Sequence, residues 1–160
     1  MRGLRVRTTL TNPKTKAIAI ATVVVIADQI TKLWAVGALS DRDISIIEGI
    51  VRLRLTENPG SAFSLFQNAG MWLGLAAIGA SFLILSTIGN SEHLGEFLGM
   101  SLILGGAIGN FVDRVVRGDG FLDGAVVDFI DFTRWPTFNI ADSAITIGAG
   151  LLVWAAIRNR

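Results

Sequence analysis

Four long apolar segments restrict the fold of this chain more than any other feature of its sequence. They cover approximately residues 17–39, 69–88, 97–116 and 140–157. About 20 helical residues cross a hydrocarbon core of about 30 Å, and a bilayer offers the backbone no hydrogen-bond partners outside a helix. The sequence therefore predicts an all-α membrane protein with four transmembrane helices, built as one domain over residues 1–160.

The first segment has one alternative interpretation, a cleaved signal peptide, because basic residues precede the apolar stretch AIAIATVVVIA. The apolar run, however, continues past Asp28 into ITKLWAVGAL, with no suitably placed small-x-small cleavage site. We therefore expect this segment to span the membrane.

Positive residues flank both ends of the predicted bundle. Those before the first segment are Arg2, Arg5, Arg7, Lys14 and Lys16, and those after the fourth are Arg158 and Arg160. Because cytoplasmic flanks carry an excess of Lys and Arg, both termini are predicted to be cytoplasmic. The rule is only partly obeyed, since the predicted outer loops contain arginines and the loop between the second and third segments has none.

The predicted outer loop between the first two helices contains a strand pattern. IVRLRLT alternates three apolar side chains with three polar ones, Val51, Leu53 and Leu55 against Arg52, Arg54 and Thr56. Glu48-Gly49 is a suitable turn from the preceding ISII. We expect a small extracytoplasmic β-sheet on the membrane surface, and a strand that only packs over the helix ends fits the pattern equally well.

The residue types restrict the chemistry. The chain has no cysteine and one histidine, His93, which disfavours thiolate chemistry, a His-based zinc site and a Ser-His triad. The net charge of +1 gives no reason to expect a nucleic-acid partner. Any acid–base chemistry therefore falls to carboxylates, and we expect no cofactor.

Polar residues inside membrane segments mark functional sites more often than not. Asp28 and Lys32 lie four residues apart and share one face of the first helix. An ion pair that satisfies itself inside the bundle explains them as well as a polar contact directed at the cleft between the helices.

Two further stretches carry polar residues at the predicted membrane boundary. ENPGSAFSLF precedes the second segment and contains a turn signal, Pro59-Gly60. GGAIGNFVDR brings Asn110, Asp113 and Arg114 together where the third helix leaves the membrane. A simple loop and interfacial charges explain these stretches without any function.

The carboxylates before the fourth segment are harder to explain. Asp128 lies within AVVDFIDF, an apolar setting that raises a carboxyl pKa, and Asp131 would lie near it on a helix. After Pro136, Asn139 is a suitable N-cap and Asp142 falls at the third helical position, a capping-box spacing. Capping would explain Asp142 but leaves Asp128 unexplained.

The predicted helices place Asp128 and Asp142 at the outer ends of the third and fourth helices, on either side of one loop. Two facing carboxylates do not both ionise cheaply, and they therefore share a proton and act as acid and base. Such a pair activates water against a peptide carbonyl without a metal ion, Ser, Cys or His. Capping and catalysis are compatible in Asp142.

These stretches resemble signal peptidase II, the lipoprotein signal peptidase family of bacteria. DQITKLWA is similar to the family's first-helix motif, and ENPGSAFSLF to its Glu-Asn-x-Gly-Ala-Ala-Phe-Ser block. GGAIGNFVDRVV, VVDFIDF and FNIADSAITIG are similar to its later blocks, and the likeness covers nearly the whole chain.

The resemblance implies an aspartic endopeptidase of the bacterial inner membrane that cuts diacylglyceryl-modified prolipoproteins before the lipidated cysteine, at the outer face. It implies a catalytic dyad of Asp128 and Asp142. The supporting polar residues that it implies are Asp28, Lys32, Asn58, Gly60, Asn110, Asp113, Arg114 and Asn139. The implied partners are lipidated prolipoproteins and membrane lipids, and we expect a monomer.

Two departures from the family pattern are visible. Ser61 stands where alanine is expected, and the stretch over residues 115–127 is longer than usual. The longer stretch adds Asp119 and Asp123, and Asp123 competes with Asp128 for the place in the dyad.

Two other kinds of site stay open. A small ion or proton transporter would use Asp28, Lys32 and Asp142 as a relay, although no internal repeat is evident. A divalent-metal site would take oxygen ligands from four carboxylates, Asp113, Asp128, Asp131 and Asp142.

Overall fold

The computed structural model describes residues 12–60 and 69–158. Its four long helices are α1 (Pro13–Ala38), α2 (Ala69–Thr87), α3 (Leu94–Val116) and α4 (Ile140–Arg158). A short 3-10 helix, Ile88–Asn90, follows α2, and all four helical spans are long and apolar enough to cross a membrane. The four predicted transmembrane segments are therefore confirmed.

α3 lies at the centre of the bundle, where it packs against α1, α2 and α4. Its backbone approaches α4 closely, since a Cβ built on Gly99 would stand 2.7 Å from the carbonyl oxygen of Gly148. A Cβ on Gly148 would in turn stand 2.6 Å from the Gly99 carbonyl oxygen. Small residues permit such close helix contacts inside a membrane, and larger side chains at either position would push the two helices apart.

The outer surface of the bundle is apolar. Large exposed hydrophobic side chains on α1, α2 and α4 include Val23, Leu33, Trp72, Phe82, Val153 and Trp154. So large an apolar surface is costly in water, whereas lipid tails can cover it. The described helices thus carry their apolar residues on the outside, as expected of a membrane protein.

A three-stranded antiparallel sheet lies at one end of the bundle, which we call the sheet end. Its strands β1 (Ile44–Ile47), β2 (Val51–Asn58) and β3 (Val126–Phe132) are hydrogen-bonded in the order β1-β2-β3. The hairpin between β1 and β2 turns through Gly49, whose φ of 72° is a conformation that favours glycine. The small sheet expected between the first two helices is confirmed.

The sheet packs over the end of α1. Phe129 forms a buried cluster with Ala35 and Leu39, and Leu53 and Leu55 pack against that cluster from β2. The apolar face of the strand pattern therefore covers helix ends, which is one of the two arrangements expected from the sequence.

The opposite end of the bundle carries the connection between α2 and α3. Pro13 and Lys16 line a cavity of about 330 Å³ there together with His93. A Cβ built on Gly95 would stand 3.3 Å from the ring of Trp154. The first turn of α1 and the last turns of α4 therefore lie together, at the end of the bundle away from the sheet.

The sequence pattern did not indicate β3, which lies between α3 and α4. Because side chains alternate along a strand, Asp128 and Asp131 point to opposite faces of the sheet. The expectation that these two residues lie close together on a helix is therefore wrong. The expectation that Asp128 ends the third helix is also wrong, because α3 ends at Val116.

An irregularity in β2 changes which side chains share a face. Leu53 opposes Ile130 and Thr56 opposes Asp128, and the register shifts by one residue between these two pairs. Thr56 therefore lies on the face of Leu53 and not on that of the two arginines, contrary to the expected alternation.

Candidate active site

Asp128 lies on β3 and is buried, with 2% of its surface exposed. Its carboxylate accepts two amide hydrogen bonds, from Asn58 Nδ2 to Oδ2 at 3.1 Å and from Asn139 Nδ2 to Oδ1 at 2.7 Å. Burial and the charge of Asp142 raise the pKa of Asp128 to about 6, against the opposing effect of the amide donors. This carboxyl group therefore holds a proton more readily than an exposed aspartate does.

A turn after β2 fixes the orientation of Asn58. The backbone N–H of Gly60 donates to Asn58 Oδ1 at 2.9 Å, and Gly60 has a φ of 94°, where glycine is favoured. Because that turn holds the amide oxygen, the amide nitrogen of Asn58 faces Asp128.

The chain returns from β3 in a way that brings Asn139 beside Asp128. Phe138 and Ile130 form an antiparallel bridge, in which each backbone N–H donates to the other's carbonyl oxygen, at 3.0 and 2.8 Å. Asn139 follows directly and is fully buried. Its Nδ2 also lies 3.1 Å from Oδ1 of Asn110 on α3, so that one amide group contacts both Asp128 and Asn110.

Asp142 lies in the first turn of α4 and forms the capping box that the sequence predicts. The N–H of Asp142 donates to Asn139 Oδ1 at 2.9 Å, and the N–H of Asn139 donates to Asp142 Oδ2 at 3.3 Å. The other carboxylate oxygen, Oδ1, accepts a hydrogen bond from Asn110 Nδ2 at 2.7 Å. Asp142 is only half-buried, and its carboxylate has further lone pairs that can bind water.

Asp128 and Asp142 are therefore brought together around Asn139, as expected, although by a strand and a helix and not by two helix ends. Asn139 contacts both carboxylates, that of Asp128 through its side-chain amide and that of Asp142 through its backbone N–H. The charge of Asp142 favours the protonated form of Asp128.

A second pair of carboxylates, Asp28 and Asp113, surrounds Lys32, and all three side chains are fully buried. Lys32 Nζ lies 2.8 Å from Asp28 Oδ2, 2.8 Å from Asp113 Oδ2 and 3.0 Å from Asn110 Oδ1. A Cβ on Gly109 would stand 2.8 Å from Asp28 Oδ2, so that glycine makes room for this carboxylate. The expected ion pair of Asp28 and Lys32 is present and extends to α3.

This Lys32 network holds α4 and β3 against α1 and α3. Asp28 Oδ1 accepts a hydrogen bond from the N–H of Ala141, in the first turn of α4, at 2.9 Å. Asp113 Oδ2 accepts one from the N–H of Val127, on β3, at 3.1 Å. The network thus positions the two elements that carry the dyad carboxylates.

The sequence pattern did not single out Gln29, which joins this network. Its Nε2 lies 3.1 Å from Asp28 Oδ2, 3.1 Å from Asp113 Oδ1 and 3.2 Å from the carbonyl oxygen of Gly109. Arg117 was missed as well, and its Nε donates to Asp113 Oδ1 at 3.2 Å. The sequence signal that could have indicated Gln29 is its position next to Asp28 in DQITKLWA.

Arg114, near the end of α3, is 7% exposed, and its charge acts on both Asp128 and Asp142. Its Nη1 donates to the carbonyl oxygen of Asn110 at 3.0 Å. Its Nε is buried and has no hydrogen-bond partner among the residues that the structure describes. Arg114 therefore brings a cation with a free donor to the pair of carboxylates.

Two other carboxylates lie away from this site. Asp131, on the opposite face of the sheet, pairs with Arg52. Asp123 is exposed and accepts a hydrogen bond from the N–H of Gly120 at 3.0 Å, within its own loop. Ser61 lies outside the described residues.

The alternative metal site from four carboxylates is not formed. Asp131 faces away, and the oxygens of Asp113 are taken by Lys32 and its neighbours. Over residues 12–60 and 69–158, no three His, Cys, Asp or Glu side chains lie close enough together to hold a metal ion.

The sequence matches the profile of the family described as signal peptidase (SPase) II over residues 20–158. The lipoprotein signal peptidase of Rhodococcus jostii (strain RHA1) is 43% identical over 135 residues, which are 84% of this chain and 68% of the relative. The lipoprotein signal peptidase of Teredinibacter turnerae (strain ATCC 39867 / T7901) is 41% identical over 152 residues, which are 89% of this chain and 87% of the relative.

A solved structure described as a bacterial membrane enzyme is similar to this fold, with a TM-score of 0.77 and 30% identity over 91% of this chain and 95% of the other. The family profile covers all but the first turns of the described bundle. The chain therefore belongs to the signal peptidase II family, and it is a multi-pass bacterial membrane peptidase.

Proposed function

We propose that this protein is an aspartic endopeptidase that removes the signal peptide from diacylglyceryl-modified prolipoproteins and cuts before the lipidated cysteine. The observation that carries the proposal is the pair Asp128 and Asp142, held around Asn139 at the sheet end of the bundle. The similar relatives are named lipoprotein signal peptidases, which supports the substrate class.

Asp128 is the proton carrier in the proposed reaction and Asp142 is the base. The pKa of Asp128, raised to about 6, favours its neutral form, while the N-terminus of α4 and the amide of Asn110 stabilise the Asp142 anion. Asp142 takes a proton from water as the water oxygen attacks the scissile carbonyl carbon, and Asp128 gives its proton to the carbonyl oxygen. Asp142 then gives its proton to the amide nitrogen while Asp128 takes a proton back from the gem-diol, and the C–N bond breaks to release the two peptide products.

Asn58, Gly60, Asn110 and Asn139 orient the two carboxylates in this proposal, and the Lys32 network holds their elements in place. Arg114 binds the substrate, because it is a buried cation at the dyad with a free N–H group. Its target is a backbone carbonyl or the lipid head group of the substrate.

The dyad lies on the extracytoplasmic side of the bacterial inner membrane, and both termini are cytoplasmic. Lys14, Lys16 and Arg158 support this orientation, since all three lie at the end of the bundle away from the sheet. The arginines at positions 2, 5, 7 and 160 lie outside the described residues. The chain acts as one domain and as a monomer, since one chain supplies the whole dyad and its supports.

Membrane lipids are partners in two ways. They cover the exposed apolar faces of α1, α2 and α4, and they receive the acyl chains of the substrate while its peptide enters between the helices. Exposed Trp135 and Ile50, beside a cavity of about 670 Å³ at the sheet, suit the boundary between lipid and water.

A transporter is not favoured. Asp28 and Lys32 are fully buried and satisfied by each other, Asp113 and backbone groups, which suits a fixed support better than a relay. Asp142 is separated from Lys32 by Asn110, whose amide does not carry protons between them.

The test is cleavage of a purified, diacylglyceryl-modified prolipoprotein in detergent, with a chelator present. Asp128→Asn and Asp142→Asn should each lower kcat by at least about 10³-fold, and the double variant should be no worse, because the pair acts as a unit. Asp123→Asn is the matched control, an exposed aspartate of the neighbouring loop, and should keep full activity. Substantial turnover by either dyad variant would refute the assignment, and loss of wild-type activity on chelation would point to a metal.

A further inference from the structure

The hydroxyl group of Thr56 is an anomaly beside the dyad. Its Oγ1 is buried and has no hydrogen-bond partner among the residues that the structure describes. Along residues 12–60 and 69–158, the only other buried side-chain atom without a partner is Nε of Arg114, which also lies at the dyad. A buried hydroxyl without a partner disfavours the folded state, and valine would fill the same space on a strand without that cost.

The register of the sheet places this hydroxyl group next to Asp128. Thr56 is the direct partner of Asp128 across β2 and β3, because the irregularity in β2 shifts the register after Leu53. Side chains of directly opposed residues lie on one face, with Cβ atoms about 4.5–5.5 Å apart. Rotation of one side-chain torsion angle therefore brings Oγ1 within reach of the carboxylate.

Asp128 has room for another donor. Each of its oxygens accepts one amide hydrogen bond in the structure, from Asn58 and from Asn139, whereas an ionised carboxylate accepts about four. Asp128 is nearly inaccessible to water, so that a further donor has to come from the protein or the substrate.

We propose that Thr56 positions and stabilises Asp128 during the reaction, and that its hydroxyl donates a hydrogen bond to the carboxylate as Asp128 gives up its proton. The proposal rests on the proposed function, in which Asp128 is the proton carrier. The hydroxyl stays without a partner while Asp128 is neutral and gains one when the charge appears, which favours the charged state over the ground state.

Several charged side chains act on the carboxyl group of Asp128 besides the hydroxyl of Thr56. Asp142 faces it from α4, Lys32 from α1 and Arg114 from α3. On its own strand Asp131 points to the other face, and on β2 Glu57 is exposed and is not among the residues whose charge acts on it. None of these groups changes in a Thr56 variant.

The test compares Thr56→Val, which removes the hydroxyl at constant shape, with Thr56→Ser, which keeps it. In the wild type, kcat/KM should fall above about pH 6, where Asp128 loses the shared proton. Thr56→Val should lower the plateau of kcat about three- to tenfold and move this alkaline limb upward by about one pH unit, with KM unchanged. Thr56→Ser should restore both quantities.

Thr22→Val is the matched control, because Thr22 is exposed on α1 and its hydroxyl already donates to the carbonyl oxygen of Ile18. It should change neither kcat nor the pH profile. An infrared titration of the protonated Asp128 carboxyl, identified by its loss in Asp128→Asn, measures the same shift without turnover.

An unchanged alkaline limb in Thr56→Val would overturn the proposal while the proposed function stands. A rise in KM alone would also overturn it, since the hydroxyl would then bind the substrate. Failure of the wild-type protein to cleave a lipidated substrate would instead refute the proposed function, and the infrared shift would still decide whether Thr56 acts on Asp128.

Discussion

Two pairs of carboxylates in the described part of the chain, Asp28 with Asp113 and Asp128 with Asp142, differ in the group that contacts both members. Lys32 contacts both Asp28 and Asp113, whereas Asp128 and Asp142 share the neutral Asn139, which donates to the first through its side-chain amide and to the second through its backbone N–H. An ammonium group balances the charge of its neighbours, and an amide supplies donors but no charge. The first pair therefore has a cation in direct contact with both carboxylates, whereas the second pair has only neutral donors in contact and Arg114 and Lys32 acting from further away.

In the proposed function, aspartate therefore serves as a structural support in the first pair and as a catalytic group in the second. The carboxylates around Lys32 accept hydrogen bonds from backbone N–H groups of α4 and β3. Asp128 accepts hydrogen bonds from side-chain amides only, and Asp142 keeps part of its surface exposed. A substitution that changes the charge of the first pair should therefore lower the stability of the fold. The same kind of substitution in the second pair should lower the rate of the reaction.

Removal of the cation should have the largest effect on stability. Lys32→Met keeps the apolar stem but leaves Asp28 buried without a counter-charge and Asp113 with Arg117 alone. We expect a loss of about 3–5 kcal/mol in the free energy of unfolding, together with loss of activity. Thermal unfolding in detergent measures the first effect and cleavage of the lipidated substrate the second.

Lys16→Met is the matched control, because Lys16 is exposed at the far end of the same helix. It should leave both the unfolding temperature and the turnover unchanged. An unfolding temperature in Lys32→Met equal to that of the wild type would mean that the Lys32 network does not hold the fold, and the comparison of the two pairs would fail.

A smaller effect should appear in the pH dependence of stability. The pKa of Asp128 is raised to about 6 in the folded state, while an unfolded aspartate titrates near about 3.9. Between these values the folded protein binds more protons than the unfolded chain, so that stability falls as the pH rises from about 4 to about 6. Ionisation of Asp128 should lower the free energy of unfolding by about 3 kcal/mol once the pH is above about 6, and the full stability should be present below about pH 4.

Asp128→Asn removes the titrating group and should flatten this part of the curve. Asp131→Asn is the control on the same strand, since that carboxylate pairs with an arginine on the other face of the sheet, and it should leave the fall between pH 4 and 6 in place. Equal curves for the wild type and Asp128→Asn would show that burial does not hold a proton on this residue.

The sequence predicted the features that depend on residues close together in the chain. The four spans follow from continuous apolar stretches, and the capping box of Asn139 and Asp142 follows from a spacing of three residues. The ion pair of Asp28 and Lys32 follows from helical periodicity. The resemblance to the family blocks indicates the remaining polar residues.

The features that the sequence missed depend on pairing between distant segments. β3 pairs with β2, about 70 residues earlier in the chain, and its own short apolar run does not distinguish a strand from a helix. The register shift in β2 moved Thr56 to the dyad face, and nothing in the alternation of IVRLRLT indicates such a shift. Long-range packing, and not local propensity, decided both.

The smallest effect on activity and stability should come from removal of Arg52, the arginine that pairs with Asp131. Asp131 is the carboxylate that lies closest to Asp128 in sequence. Asp131 pairs with Arg52 on the outer face of the sheet, where the Arg52 side chain is 49% exposed, and their interaction raises the pKa of the arginine. Water and salt screen the arginine end of this pair, and glutamine at position 52 can still donate a hydrogen bond to the Asp131 carboxylate, whose side chain is 10% exposed. Arg52→Gln should therefore leave kcat, KM and the unfolding temperature close to the wild type, at low and at high salt.

The same measurements on Lys32→Met should differ strongly, although both variants remove one cation from a carboxylate on an element of this site. A loss of activity in Arg52→Gln with the fold intact would place the outer face of the sheet in contact with the substrate, and would end the distinction between framework and chemistry along β3.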